Sequence, residues 1–272
     1  MRRPIDCRLL VDSPTAGAWN MALDETLLEW AIEHGQCYWR FYQWSEPTLS
    51  LGYFQDYAQR DEHAPSHTCA AVRRLTGGGA ILHDAELTYS LTVPPGHALA
   101  AQRDRLYTEV HATLVETLAG FGLQTVQYGD RFPENPPQTP EPFLCFLRRT
   151  AADVVVVDPQ NLAGDRGKIV GSAQRRRRGA VLQHGSLLLA RSARAPEIPG
   201  LREAGCPANA ATFIQAWLPR LSHRLGLTLT PDTWTPAQQA RAQQLLARRY
   251  ANPQWTIGRQ REDLDSSVAR GG

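Results

Sequence analysis

Five extended segments follow one another closely between Cys37 and Val93, and they constrain the fold more than any other feature of the sequence. They are rich in aromatic and β-branched residues, and they span residues 37–44, 48–54, 69–75, 80–83 and 87–93. Short turns join them, which favours antiparallel pairing because a parallel pair needs a long crossover connection. We therefore predict that this part of the chain forms a mainly antiparallel sheet.

Helical patterns precede and follow these segments. A helix is predicted over residues 21–34, capped by Asn20 and ended by Gly35, with Asp24 and Glu25 near its positive end. Its inward positions are predicted to be Met21, Leu23, Leu27, Leu28, Ala31 and Ile32. The other predicted helices span residues 104–119, 210–225 and 236–250, and the later strands span residues 153–158, 168–173 and 180–189.

A proline-rich stretch at residues 129–143 interrupts this pattern. It contains Pro133, Pro136, Pro137, Pro140 and Pro142. Because proline neither continues a helix nor fits a central strand, the stretch is predicted to be a surface loop that leads directly to Cys145.

Charge and cysteine usage exclude several classes of protein. The 272 residues include 29 basic and 27 acidic ones, so the net charge of +2 gives no overall attraction to nucleic acid or to a membrane. The longest apolar runs, near Val154 and Leu187, are too short for a membrane helix, and no secretory signal is recognisable after Met1. The five cysteines have neither disulfide nor zinc spacing, which is typical of a reducing compartment. Each is predicted to be a buried thiol or a nucleophile.

Three successive glycines, Gly77 to Gly79, are the densest local signal, and Arg74 and His83 flank them. Such a loop lets the backbone approach a ligand, and its N–H groups can receive a carbonyl, carboxylate or phosphate. A simple hairpin needs only one or two glycines. The spacing matches neither a dinucleotide fingerprint nor a P-loop, so we predict a binding loop that does not hydrolyse a nucleoside triphosphate.

Lys168 is the only lysine of the chain, and it begins an alternating strand. An ammonium is a compact donor to a developing oxyanion, which would explain why one lysine is kept in an arginine-biased chain. Chance in such a composition explains it equally well.

Two further polar segments lie close to this lysine. The four arginines at residues 175–178 are predicted to form an exposed turn that suits an acidic protein partner better than RNA, because no aromatic residues interleave with them. Residues 183–186, Gln-His-Gly-Ser, place polar groups in an apolar strand, where they either line a site or satisfy one another internally.

Taken in order, four of these motifs resemble the lipoate and biotin protein ligase superfamily. They are residues 20–25, 73–84, 168–173 and 183–186, and the resemblance extends over roughly residues 8–259. Within that superfamily, ATP-dependent ligases differ from cysteine-dependent octanoyltransferases and amidotransferases. Cys145, followed by Phe146, looks like the acyl-accepting cysteine of the octanoyltransferase branch, and the ligase branch generally lacks a cysteine there.

The sequence departs from the family pattern at two loops. One is the proline-rich stretch before Cys145, and the other is an apparent insertion at residues 158–167. Neither removes a motif residue, but the first could alter the preference for acyl-chain length or donor. The separate C-terminal domain of longer ligases is not expected here, which also favours the transferase branch.

The resemblance implies an α+β fold, similar to the biotin synthetase and class II aminoacyl-tRNA synthetase core, with a large mixed, mainly antiparallel sheet flanked by helices. Residues 1–260 would form a single catalytic domain with the late helices, from about residue 210, packed on it. Residues 261–272 would be a disordered tail.

The activity implied by the resemblance is transfer of an octanoyl group from acyl carrier protein, through a thioester on Cys145, to a lysine of a lipoyl domain. Lys168 would be the second catalytic residue, favouring the thiolate and donating to the carbonyl oxygen. The substrate-binding residues would be Arg74, Gly77, Gly78, Gly79, Ala80, Leu82, His83, Gly171, Ser172 and His184. No metal, cofactor, membrane or nucleic acid is expected, the acceptor would be a protein such as glycine-cleavage H protein, and the enzyme would be cytoplasmic.

Several alternatives stay open from the sequence. The chain could be an ATP-dependent lipoate ligase in which Cys145 is incidental, or an amidotransferase between lipoyl domains. A non-catalytic protein that holds an acylated carrier or RNA is the alternative of another class. His83 and His184 are both candidates for the general base, and either could instead be a hydrogen-bonded core histidine.

Overall fold

The computed structural model describes residues 4–132, 140–158, 160 and 164–259. The predicted disordered tail at residues 261–272 lies outside them, and so do Pro133, Pro136 and Pro137. The strands of the described residues are β1 Ile5–Val11, β2 Cys37–Tyr42, β3 Thr48–Leu51, β4 Ala70–Arg73, β5 Ile81–His83, β6 Glu86–Val93, β7 Thr125–Gln127, β8 Val154–Val157, β9 Asp165–Arg177, β10 Ala180–Leu188 and β11 Leu227–Pro231. The α-helices are α1 Gly17–His34, α2 Ala98–Ala101, α3 Arg103–Gly120, α4 Tyr128–Arg131, α5 Ala210–Leu225, α6 Pro236–Leu245 and α7 Pro253–Gly258. Shorter turns of 3₁₀ or π type are Tyr57–Glu62, Ala64–Ser66, Cys145–Leu147 and Leu246–Tyr250.

Eight strands form one large sheet in the order β11-β1-β2-β6-β10-β9-β8-β7. The strand β1 pairs in parallel with β11 and β2, and the other neighbours are antiparallel. Helices α1, α3 and α5 pack against this sheet or its neighbouring elements. The predicted α+β fold with a large mixed, mainly antiparallel sheet is confirmed.

Three strands form a second, smaller sheet in the order β4-β3-β5. In it β3 pairs antiparallel with β5 but parallel with β4. The antiparallel pairing predicted throughout residues 37–93 is therefore wrong for this one pair. The reason is the connection between β3 and β4, residues 52–69, which contains the 3₁₀ turns Tyr57–Glu62 and Ala64–Ser66 and is long enough for a parallel crossover.

Aromatic side chains fill one face of the large sheet, beneath α3 and α5. Trp39 stacks on Tyr89 with ring centroids 5.3 Å apart, and Trp217 of α5 meets Trp39 edge-on at 5.5 Å. Removing one such ring typically costs about 3–5 kcal/mol of stability. This face is the main core, and the opposite face, which α1 covers, carries the polar groups of the candidate site.

Helix α1 begins earlier than predicted. It starts at Gly17, so Asn20 lies inside the first turn and is not its cap. The Asn20 side chain instead donates to the Gln43 carbonyl (3.1 Å) and accepts from Arg40 Nη2 (2.7 Å). The predicted end is confirmed, because Gly35 has a left-handed φ of 67°.

Three of the four arginines extend a strand, and the fourth, Arg178, lies in the turn that follows. β9 continues to Arg177, and the turn to β10 consists of Arg178 and Gly179, with φ of 47° and 82°. Two positive φ angles are typical of the tight hairpin turn that matches strand twist. Arg177 Nη1 lies 3.3 Å from carboxylate oxygens of both Glu25 and Glu29, so this member of the predicted docking run is paired within the chain.

The late helices agree with the sequence analysis. The predicted helix at residues 210–225 is confirmed as α5, and the one at 236–250 consists of α6 and the π turn Leu246–Tyr250. No helix in the described part of the chain is long and apolar enough to cross a membrane.

Candidate active site

Cys145 lies where the proline-containing segment meets the glycine loop. Its backbone N–H donates to the Ala80 carbonyl (2.7 Å), and the Ala80 N–H donates to the Phe143 carbonyl (3.0 Å). The segment is therefore joined to the end of the loop by a single parallel β-bridge between Leu144 and Ala80, and the 3₁₀ turn Cys145–Leu147 follows at once. This pairing fixes the backbone of the cysteine.

The Cys145 side chain is partly exposed, whereas each of the other four cysteines is buried. Those four are Cys7, Cys37, Cys69 and Cys206. A nucleophile must reach its substrate, so accessibility separates Cys145 from the rest.

Lys168 approaches this thiol closely. Its Nζ lies 3.6 Å from Cys145 Sγ and 3.2 Å from the Cys145 carbonyl oxygen. The same ammonium lies 2.9 Å from Asp153 Oδ2, and both of these side chains are almost fully buried. A cation at this distance favours the thiolate, which is the nucleophilic form of cysteine.

A bulge in β9 directs Lys168 toward the cysteine. In the ladder with β8, Val154 is opposite Val170 but Val155 is opposite Lys168, so Ile169 is an additional residue. Ile169 and Val170 consequently both lie in the aromatic core. Lys168 then reaches the other face, where regular alternation would not have placed it.

Gly171 leaves the space that the lysine occupies. A Cβ at this position would lie 2.5 Å from Lys168 Cε and 2.9 Å from Nζ. Gly171 was predicted as a substrate contact, and the structure places it beside Lys168, where the absence of a side chain leaves room for the lysine.

Arg74 lies beneath the glycine loop and holds its carbonyls. Arg74 is buried, and Nη2 donates to the carbonyls of Gly77 and Gly79, at 2.7 Å each. Burial lowers the pKa of Arg74 to about 10, so the side chain stays charged at neutral pH. In the described part of the chain, the backbone N–H groups of Gly78 and Gly79 have no hydrogen-bond acceptor. Arg74 thus organises the loop, and the loop keeps two donors available.

Backbone conformation and close packing explain why two positions at this loop, Gly78 and Gly52, carry glycine. Gly78 has a φ of 89°, which an L side chain rarely adopts. A Cβ on Gly52 would lie 2.0 Å from the Gly78 carbonyl oxygen.

His83 is part of a buried chain of hydrogen bonds. Its Nε2 lies 2.7 Å from Ser50 Oγ and its Nδ1 lies 2.7 Å from Glu86 Oε1. Ser50 Oγ also accepts from Arg74 (3.1 Å), which leaves the hydroxyl proton for the imidazole and the Nδ1 proton for the carboxylate. The ring stacks on Trp44 at 3.8 Å, and burial lowers the pKa of His83.

His184 forms a second chain of the same kind. Its Nε2 lies 2.6 Å from Thr76 Oγ1, which accepts from Arg74 Nε, and its Nδ1 lies 3.1 Å from Asp24 Oδ2. Burial raises the pKa of Asp24, but the hydrogen bond from His184 and the charge of Arg40 outweigh it, so the pKa is lowered. Both candidate histidines therefore already have internal partners on each ring nitrogen.

Ser172 faces the core and not Cys145. Its Oγ lies 2.6 Å from both Tyr89 OH and His111 Nε2. Neighbouring residues of a strand point to opposite faces, so Ser172 and Gly171 do not share a surface. The structure does not bring this predicted substrate contact to the cysteine, and Ser172 instead anchors β9 to α3.

A narrow, mainly apolar cavity is lined by both sequence neighbours of Cys145, Leu144 and Phe146. It has a volume of about 20 Å³ and its apolar lining includes Ala80, Leu82, Leu144, Phe146, Leu188, Ala195 and Ile198. Ala80 and Leu82, two of the predicted substrate-binding residues, are part of this lining. A cavity of this size holds about one water molecule, so an acyl chain entering it must displace side chains.

The part of the chain that the structure describes contains no set of ligands for a metal ion. No group of three or more histidine, cysteine, aspartate or glutamate side chains is placed to hold a metal ion there.

Residues 16–195 match the family model of the lipoyl protein ligase A/B catalytic domain. The chain belongs to this family. Two curated relatives are octanoyltransferases LipM. The one from Halalkalibacterium halodurans is 31% identical, over 88% of this chain and 94% of the relative. The one from Brevibacillus brevis is 30% identical, over 93% of this chain and 99% of the relative.

Solved structures of lipoate ligases confirm the fold of this family member. A putative lipoate protein ligase from Thermoplasma acidophilum aligns with a TM-score of 0.72 at 21% identity, over 93% of this chain and all of that one. A lipoate-protein ligase A bound with ATP aligns with a TM-score of 0.73 at 19% identity, over 93% of this chain and 99% of that one. At these identities the likeness concerns the fold alone.

Sequence reasoning missed two charged side chains of this lipoyl ligase-type site. Asp153 pairs with Lys168 but was recognised only as the start of a strand. Arg148 lies against the glycine loop, because a Cβ on Gly79 would be 2.6 Å from its Nε, and that Nε donates to the Pro142 carbonyl (2.6 Å). Its position three residues after Cys145 was the only available signal.

Proposed function

We propose that this protein is an octanoyltransferase of lipoate biosynthesis that works through a thioester on Cys145. The observation that carries the proposal is the 3.6 Å approach of Lys168 Nζ to the sulfur of the one cysteine that is not buried. The curated relatives, named octanoyltransferases, support it over most of the chain. The described residues 4–132, 140–158, 160 and 164–259 act in this proposal as one catalytic domain within residues 1–260.

The first half-reaction forms the acyl-enzyme. The Cys145 thiolate attacks the carbonyl carbon of an octanoyl thioester, a new C–S bond forms, and the donor C–S bond breaks. The donor sulfur leaves with the proton that Cys145 gave up, and Lys168 Nζ is the group placed to pass that proton. No cofactor is consumed, because the energy of the donor thioester is kept in the new one.

The second half-reaction releases the product. The neutral amine of an acceptor lysine attacks the same carbonyl carbon, an amide C–N bond forms, and the bond to Cys145 breaks. The amine proton returns to the cysteine sulfur, again through Lys168. Both histidines are engaged by carboxylates, so Lys168 is the better candidate for proton transfer than His83 or His184.

Charge that develops on the carbonyl oxygen needs donors in both steps. The N–H groups of Lys168 Nζ are one set, as an ammonium in the first step and as an amine at the start of the second, and the available N–H groups of Gly78 and Gly79 are another. Arg74 contributes indirectly by holding the loop carbonyls on the other side.

The partners follow from this chemistry. The donor is octanoyl-acyl carrier protein, and the acceptor is a lipoyl-domain protein such as glycine-cleavage H protein. The octanoyl chain lies against the apolar residues around Leu82 and Phe146. The proposed location is the cytoplasm, where acyl thioesters and reduced cysteine are both available.

A transfer assay tests the proposal. The protein is incubated with a purified lipoyl domain and either octanoyl-acyl carrier protein without ATP or free octanoate with ATP. Octanoylation of the lipoyl domain with the thioester alone is the expected result. Modification only with free acid and ATP would make the chain a ligase, and modification under neither condition would exclude both the octanoyltransferase and the ligase.

A further inference from the structure

We propose that Asp153 is a positioning residue for the acyl transfer: it holds the Lys168 ammonium at the cysteine and thereby sets the pH at which Cys145 becomes nucleophilic. This role rests on the proposed function, because it concerns the acyl transfer by Cys145. The residue is a buried carboxylate at the turn before β8 that acts on the cysteine through Lys168.

The turn that carries Asp153 is fixed from three sides. Its backbone N–H donates to the Thr150 carbonyl (3.0 Å), while the Thr150 N–H donates back to Asp153 Oδ2 (2.7 Å). The Tyr128 N–H donates to the Asp153 carbonyl (2.7 Å), and His111 bonds to the Ala152 carbonyl. The carboxylate is therefore held by the backbone and does not depend on Lys168 for its place.

That carboxylate in turn determines where the ammonium lies. Among the described residues, Lys168 Nζ has three polar contacts: Asp153 Oδ2 at 2.9 Å, the Cys145 carbonyl at 3.2 Å and Cys145 Sγ at 3.6 Å. Asp153 is 1% exposed and Lys168 is 2% exposed, so water contributes little to either charge. Of the three contacts, the carboxylate is the only charged one before the thiol ionises, and it is the shortest.

Gly171 leaves the space in which the Lys168–Asp153 ion pair lies. A Cβ there would collide with Lys168 and would lie 3.6 Å from Asp153 Oδ1. The bulge at Ile169 brings the lysine to this face, the missing side chain makes room for it, and the carboxylate stops it beside the sulfur.

Among the described residues, few charged or titratable groups face the thiol or the ion pair. The groups that face it or the ion pair are Lys168 from β9, Asp153 from the turn before β8, Arg74 below the glycine loop, Arg148 beyond it, and Tyr107 and His111 from α3. Burial raises the pKa of Tyr107 and lowers the pKa of His111 to about 4, so both are neutral near pH 7. Among these groups Asp153 is the single anion. Its charge disfavours the Cys145 thiolate, but it also holds Lys168, whose charge favours that thiolate.

Two substitutions separate these two actions. Asp153→Asn keeps an oxygen for Lys168 and for the Thr150 N–H but removes the negative charge, so Cys145 should become nucleophilic at a lower pH. Asp153→Ala removes the contact that holds Lys168, so the ammonium moves away from the sulfur. The pH at the midpoint of Cys145 alkylation should then rise. Shifts of about one pH unit are expected for a charge at this range. A purely structural role would not give shifts of opposite sign.

The experiment measures the rate at which iodoacetamide alkylates Cys145 from pH 5 to 9, with peptide mapping to separate it from the buried cysteines. No acyl donor is present, so the result does not depend on whether the protein is an octanoyltransferase. Asp165→Asn is the matched control, because it breaks another partly buried carboxylate pair nearby, with Arg149 (2.9 Å), and leaves Lys168 untouched. Its midpoint should equal that of the wild type.

A second experiment measures how fast the same variants form the octanoyl-enzyme, which tests whether the position of Lys168 affects the reaction. The proposal expects Asp153→Ala to lower the rate of acyl-enzyme formation by about 100-fold, as displacement of a catalytic group by about 1 Å can. Midpoints of both Asp153 variants that match the wild type would overturn the positioning role. Absence of any octanoyl adduct on the wild type would overturn the proposed function and leave the alkylation result standing.

Discussion

Replacing Gly171 with alanine tests whether the space for Lys168 matters to the reaction. The added Cβ would lie 2.5 Å from Lys168 Cε and 2.9 Å from Nζ, whereas ordinary contacts are 3.4–4 Å. The lysine must therefore move by about 1 Å, and a displacement of that size can cost about 100-fold in rate. The φ of Gly171 is not among the left-handed values, so alanine fits the backbone and only the contact is tested.

The assay follows acyl-enzyme formation by rapid quenching and mass spectrometry, with octanoyl-acyl carrier protein in excess. Thermal unfolding of the same samples shows whether the variant still folds. We expect a folded protein that forms the thioester about 100-fold more slowly than the wild type.

Gly120→Ala is the matched control for this change. It lies near the end of α3, and its added Cβ would contact only Arg220 Nη2, at 3.4 Å. This variant should keep the wild-type rate. A folded Gly171→Ala variant with the wild-type rate would refute the argument, because it would mean that the position of Lys168 does not limit the chemistry.

Three further variants test other parts of the structure. Burial lowers the pKa of His111 to about 4, so stability that is full above pH 6.5 should fall by about 3 kcal/mol as the pH drops to 4; urea unfolding of His111→Gln should lose most of this dependence. Arg74→Lys removes the two 2.7 Å bonds to Gly77 and Gly79, and it should lower the free energy of unfolding by about 2–4 kcal/mol; an unchanged urea midpoint would contradict this. Lys168→Arg keeps the charge but not the compact shape, so acyl-enzyme formation should slow by about 100-fold, and a wild-type rate would show that shape is unimportant.

The elements predicted best are those in which the local sequence pattern agrees with the contacts made in the folded protein. Helix α5 has the predicted bounds, because one apolar stripe faces the core and Gly226 ends it with a left-handed φ of 65°. The predicted start of α1 was wrong because Asn20 is a good cap by type, but Arg40 of β2 and Gln43, which follows that strand, engage its side chain. A distant contact decided this boundary, and no local pattern reveals it.

Some strands were missed because their partners are far away in the sequence. β1 pairs in parallel with β11, so that Ile5 is opposite Leu227. Neither segment has a neighbouring turn that would suggest a hairpin. The parallel pair β3–β4 was misjudged for a related reason, since its connection contains turns of its own.

The site was recognised in part. Motif order pointed to Cys145 and Lys168, and the structure places their side chains 3.6 Å apart. The bulge that makes this possible depends on pairing between β8 and β9, and an alternating pattern alone would have placed the lysine on the wrong face. For the same reason the pattern could not distinguish Gly171, which faces the lysine, from Ser172, which faces the core.

The arginine pair shows how contacts refine a motif. The sequence grouped Arg73 and Arg74 as two cations beside a glycine loop. In the structure Arg74 holds the loop, while Arg73 donates from Nε and Nη2 to the Thr256 carbonyl at 3.0 and 2.8 Å and so fastens α7 to β4. Buried arginines of this kind serve the backbone, and type and spacing do not distinguish that role from substrate binding.

The most direct test of the central claim is the intact mass of the protein after incubation with octanoyl-acyl carrier protein in the absence of ATP. The wild type should gain one octanoyl group that hydroxylamine removes, and Cys69→Ser, which changes a buried cysteine of the same apolar cluster, should gain it too. Cys145→Ser should gain none. An adduct that persists in Cys145→Ser, or that forms on the wild type only with free octanoate and ATP, would contradict the thioester mechanism.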